Sequence, residues 1–157
     1  MSWFGRRKWH TPEIPESAYV AIPLTPAEVQ VLVTALLEDD RLTRVHRSDI
    51  GGSDFARDEA AAMMKRAGIA AALGHTVVPL LVSQLGMYEY VLAPLRDWAP
   101  NSQVTREFAA FLTRCHFLTG VAKVRGWKAR FDGPGVRWDG DPSPDFVNEL
   151  RQITDGA

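Results

Sequence analysis

The stretch AGIAAALGHTVVPLLVSQLGMYEY, from Ala67 to Tyr90, contains no Asp, Glu, Lys or Arg before Glu89. A run this apolar must leave water, into either a bilayer or a protein core. Crossing a bilayer takes about 20 residues of continuous apolar helix. Gly74, His75 and Pro79 interrupt this run, and its unbroken part, about Val77 to Leu92, already holds Glu89. The run is therefore expected to be core, with no membrane span. Read as a helix, Val77–Leu92 is capped by Thr76, places Pro79 in its first turn and stops at Pro94. Being apolar on most faces, it is expected to be a central helix covered by others, with Glu89 at its solvent edge.

Amphipathic segments suited to cover it lie on both sides. In TPAEVQVLVTALLEDD, Thr25 is a helix cap, Pro26 suits the first turn and Glu28 completes a capping box. Val29, Leu32, Val33, Leu36 and Leu37 form its buried stripe, and the helix should run to about Leu42. A second helix should begin after GGS, with Ser53 as cap and Asp54, Asp58 and Glu59 near its positive end. Its Ala56, Ala60, Met63, Ala67, Ala70 and Gly74 form a narrow seam of mostly small side chains, which invites close packing by a neighbouring helix of the same chain, with a dimer seam as the alternative. A fourth helix follows APNS and is expected to end near Thr119 at Gly120, with Val104, Phe108, Phe111, Leu112, Cys115 and either Leu118 or Thr119 inward.

The remaining segments differ in kind. Pro12, Pro15 and Pro23 keep residues 11–24 from forming helix, although AYVAI suits a short edge strand. VAKVRGWKARFDGPGVRWDGD reads as a hairpin turning at DGPG. A short helix of about Pro144–Thr154, capped by Ser143, offers Phe146, Val147, Leu150 and Ile153 for docking. The expected fold is mostly α: a single-domain helical bundle around a central apolar helix, with a small C-terminal β-hairpin and a short terminal helix. Its parts are an extended arm (1–24), a helical core (25–122) and the hairpin with its helix (123–157). A chain of 157 residues suits one domain that needs no disulfide or metal to fold.

The chemistry-bearing residues show no catalytic or metal-binding signature. His46, Asp49, Ser53, Asp54, Asp58 and Glu59 lie close in sequence but match neither an EF-hand loop nor H-E-x-x-H; helix-dipole stabilisation accounts for the carboxylates. GGS is neither a P-loop nor a dinucleotide fingerprint. Cys115 and His116 are neighbours on a helix, so they point about 100° apart. Cys115 is the only cysteine, which excludes an intramolecular disulfide and is compatible with a reducing compartment. No catalytic residue, metal site or cofactor is expected. The basic N-terminus leads into polar, proline-broken TPEIPESAY rather than an apolar segment, so no secretory signal is read there.

Two segments instead combine aromatic and basic residues: Trp3, Phe4, Arg6, Arg7 and Trp9 in the arm, and Arg125, Trp127, Lys128, Arg130 and Trp138 in the hairpin. Trp and Arg are enriched at interface hot spots. They also stack on bases and pair with phosphates, but a net charge of -1 argues against strong nucleic-acid binding. The expected function is a non-enzymatic protein interaction or assembly module, an accessory or structural part of a larger complex. Its partner would be another protein or its own copies, in the cytoplasm or within a soluble assembly. The alternatives are a nucleic-acid-binding regulator, or a small enzyme whose site, around His46 and the acidic helix start or around His75 and Glu89, forms only in three dimensions.

Overall fold

The computed structural model describes residues 19–47, 54–133, 135–140 and 144–155. In chain order these give β1 (Ala21–Leu24), α1 (Pro26–His46), α2 (Asp54–Ala72), β2 (Val78–Leu81), α3 (Leu85–Trp98), α4 (Gln103–Arg125), β3 (Ala129–Asp132), β4 (Gly135–Trp138) and α5 (Pro144–Asp155). The fold is mostly α, with a small C-terminal hairpin and a short terminal helix.

The capping box of α1 forms as the sequence implies: Glu28 N–H donates to Thr25 Oγ1, and Thr25 N–H donates to Glu28 Oε1 across 2.9 Å. Leu32, Ala35 and Leu36 are fully buried, and α2, α3 and α4 all pack against α1. The helix at the centre is therefore α1 rather than the one expected between Val77 and Leu92. α1 also runs past Leu42 to His46, and Leu37 leaves the expected stripe to lie 47% exposed. The small seam of α2 packs within the chain: Ala56, Ala60, Met63 and Ala70 are buried. Gly74, with φ +79, ends this helix, as His75 N–H reaches Ala70 O and Gly74 N–H reaches Ala71 O. This pair of bonds requires a left-handed residue between helix and loop.

The largest correction concerns Val77–Leu92. Val78–Leu81 is a strand, antiparallel to β1, and a single 3₁₀ turn (Val82–Gln84) leads from it into α3. Every residue of both strands is buried. A strand covered on both faces shows no alternation and looks like a buried helix in sequence. Pro79 stands opposite Pro23 in the register. Ala21 N–H points away from β2 to Trp127 O, whereas Val82 N–H points inward to Val20 O. By that alternation Pro23 and Pro79 occupy sites whose N–H would face away from the ladder, so neither proline breaks it.

Two helix ends also differ from expectation. α3 continues through Pro94 to Trp98. The carbonyl that Pro94 leaves without an N–H partner belongs to Tyr90, on the solvent face, while Leu92 and Leu95 anchor the helix on either side of the proline. Thr105 on α4 caps the far end of α3, donating to Ala99 O across 2.7 Å. α4 continues through Gly120 because Leu118 and Ala122 keep the next turn docked; it stops at Gly126, with φ +70. The hairpin pairs Ala129 with Trp138 and Asp132 with Gly135, turning at DGPG as read. A Val20–Lys128 bridge joins it to β1. Phe146 and Leu150 bury the inner face of α5, and Val147 is half-buried. The side chain of Ile153, and Ser53 and Ser143 entirely, lie outside the described residues.

Candidate interaction surfaces

The hairpin residues divide into an inner aromatic set and an outer charged set. Trp127 and Trp138 are half-buried and meet Phe146 edge-on, at ring-centroid distances of 4.4 and 5.2 Å. Trp138 Nε1–H also donates to Val77 O across 3.2 Å. These two rings thus clamp α5 and the hairpin onto the core. Outside, Arg125 pairs with Glu149 at 3.3 Å, Arg130 with Asp139 at 3.0 Å, and Arg137 with Asp132. The guanidinium of Arg130 also lies over the Tyr19 ring. Lys128 is half-buried beside Val20. Trp3, Phe4, Arg6, Arg7 and Trp9 lie outside the described residues, as does Asp49.

A groove of about 350 Å³ opens between the N-terminal half of α1 and the C-terminal half of α2. Val29 and Val33 line one side, Met64, Ala67 and Ala71 the other, and His75 stands at one end. It has a simple origin in the sequence. The small side chains of α2 that allow close packing near Ala56 and Ala60 leave a hollow beyond Met63, where α1 offers Pro26, Val29, Gln30 and Val33. Met64, 60% exposed, forms a flexible rim. The groove lining contains no Asp, Glu, Lys or Arg.

A second surface lies on the outer side of α3 and α4. Glu89 faces His116 across 2.6 Å, both about half-exposed, which places Glu89 at a solvent edge. Beside this pair stand Tyr90, 81% exposed, and Phe117, 56% exposed. A hollow of about 470 Å³ runs between the helices, lined by Ala93, Ala109, Ala110 and Arg96 among others. Neither groove was anticipated from the sequence. For the first, the small residues of α2 did not distinguish a close approach from an opening; for the second, the exposed small residues Ala93 and Ala110 were the signal.

Several titratable groups inside the fold meet partners within it. Glu59 and Arg66 on α2 are paired at 3.4 Å with side chains 13% and 8% exposed. The hydroxyl of Tyr88 donates to Glu59 Oε1 across 2.7 Å, and Arg66 Nη1 also approaches Gln84 Oε1 at 3.5 Å. Burial, and then the nearby Glu59 charge, push the Tyr88 hydroxyl well above its ordinary pKa. Arg114 on α4 forms an ion pair with Glu28 on α1 at 2.9 Å. Cys115 is fully buried, and burial pushes its thiol up, so it is a poor nucleophile. His46 stacks on Trp98 with centroids 4.9 Å apart. His75 and Glu89 line different grooves, so the fold does not bring them together. Among the described residues, no three of His, Cys, Asp and Glu come together as a metal site, and no helix is long and apolar enough to cross a membrane. Comparison of the chain with known protein families, curated proteins and solved structures gives no match.

Proposed function

We propose that this protein is a non-enzymatic interaction or assembly module that receives an apolar segment of a partner protein, such as one face of an amphipathic helix, in the α1–α2 groove. The observation that carries this reading is the groove itself: an open hollow of about 350 Å³ without a carboxylate, ammonium or guanidinium in its lining. Such a lining suits the apolar anchors of a helix laid in a groove. The arm residues Trp3, Phe4, Arg6, Arg7 and Trp9 are proposed as a second binding element, from their composition. A protein partner is preferred to nucleic acid because Arg125 at the end of α4 and Arg130 and Arg137 on the hairpin each face a carboxylate. Cations so engaged offer less to phosphates.

Selection of displayed helical peptides on the full chain tests this reading. Selected peptides should carry apolar residues at i, i+3, i+4 and i+7. Ala71→Arg, at an exposed groove position, should weaken their binding by roughly tenfold or more. Equal affinity for the wild type and for Ala71→Arg would overturn the groove as the binding site.

A further inference from the structure

The outer face of α3 and α4 has a pattern that the α1–α2 groove does not explain. Glu89 and Arg96 both line the α3 side of the hollow between these helices, two turns apart, with their midpoint beside Leu92. Phe117 and Ala110 are likewise two turns apart on the outer side of α4, with their midpoint beside Thr113 and Arg114. The loop from Ala99 to Ser102 makes the two helices antiparallel neighbours, and the Glu89–His116 contact fixes their relative height. At that height the two midpoints fall at nearly the same level of the helix pair.

We propose that this face pairs with a second copy of the chain about a two-fold axis crossing both helices at that level. A two-fold axis lying in the interface reverses helix direction and keeps each flank facing its own counterpart. Glu89 then faces Arg96 of the partner subunit, and Arg96 faces Glu89 of the partner subunit. In the same register Phe117 stands over Ala110 of the partner subunit, on the part of the lining that holds Ala109 and Ala110. One register thus gives two ion pairs and two aromatic side chains seated in hollows. The match is what singles out a second copy as the occupant: an unrelated surface would not have to repeat the spacing of both pairs. Arg96 is exposed and has no ion pair among the described residues, and Glu89, which meets His116, is about half-exposed and keeps surface for a second cation. This inference concerns a different surface from the α1–α2 groove and does not rest on it.

The test is sedimentation velocity on the full chain over a wide concentration range. The wild type should show a monomer–dimer equilibrium, and Phe117→Glu should abolish it. Glu89→Arg and Arg96→Glu should each weaken dimerisation by roughly tenfold, by setting like charges face to face. The double variant Glu89→Arg, Arg96→Glu should recover it, because the swapped charges again face each other. All these positions are exposed, so circular dichroism should show unaltered folding. Ala71→Arg should leave dimerisation unchanged, which separates this outcome from the fate of the α1–α2 groove. A wild type that stays monomeric at every concentration, or a dimer that the double swap fails to rescue, would overturn the proposal.

Discussion

Tyr88 on α3 donates its hydroxyl hydrogen to Glu59 on α2 across 2.7 Å, at a place where Tyr88 has no exposed surface. The bond lies between two helices that both pack on α1, and Arg66 balances the carboxylate charge from the same helix as Glu59. Removing one member of such a group leaves the others buried without their partner. Tyr88→Phe should keep the ring packing and lower stability by about 1–3 kcal/mol, as read by urea unfolding. An unchanged unfolding midpoint would show that the bond contributes nothing.

The same tyrosine gives an alkaline signature. In the unfolded chain it ionises near its ordinary value of 10.0, whereas in the folded protein it keeps its proton well above that. Above about pH 10 the unfolded state therefore loses a proton that the folded state retains, and unfolding gains. Stability should fall from that pH upward, and Tyr88→Phe should flatten the decline. Parallel pH profiles for the two proteins would contradict this.

Asp39 supplies a carboxylate counterpart. Burial raises its pKa above 3.8, the neighbouring Asp40 adds to the rise, and a hydrogen bond from Thr43 opposes it. Charging Asp39 therefore costs more in the folded than in the unfolded state. That cost is present at neutral pH and vanishes as pH falls below the unfolded value. Asp39→Asn retains an acceptor for Thr43, so its urea midpoint should exceed that of the wild type at pH 7, with the gain shrinking toward pH 3.8 and below. A lower midpoint at pH 7 would contradict the assignment.

The C-terminal clamp is expected to depend on one side chain. Phe146 is buried between Trp127 and Trp138. Phe146→Ala should cost about 3 kcal/mol and shift tryptophan emission to the red as both indoles meet water. Unchanged emission would show that α5 is not what covers them.

The parts of this fold that were legible in sequence are those whose physics is local. Thr25, Pro26 and Glu28 announce a helix start because capping satisfies backbone donors within one turn. DGPG announces its turn in the same way. Val77–Leu92 was misread because the identity of Val78–Leu81 depends on a partner strand more than fifty residues earlier, which no window around it contains. Gly120 and Pro94 were read as stops because both weaken helices, but burial of Leu118, Ala122, Leu92 and Leu95 outweighs that local preference. That Trp127 and Trp138 both meet Phe146 was not legible, because composition does not reveal a contact between separate segments. The α1–α2 groove was illegible for a related reason: a hollow is a property of two facing helices, and the alanines of α2 mark a close approach and an opening equally well.

The α1–α2 groove is the central claim, and photo-cross-linking from its rim tests it most directly. A benzophenone amino acid replacing Met64, in the full chain expressed in its own cells, should give a discrete adduct with one protein partner. The same probe at Lys65, the adjacent exposed position outside the groove lining, should give little. Adding Ala71→Arg should remove the adduct from position 64. Equal cross-linking from positions 64 and 65, or an adduct that survives Ala71→Arg, would contradict the groove as the site where this protein meets its partner.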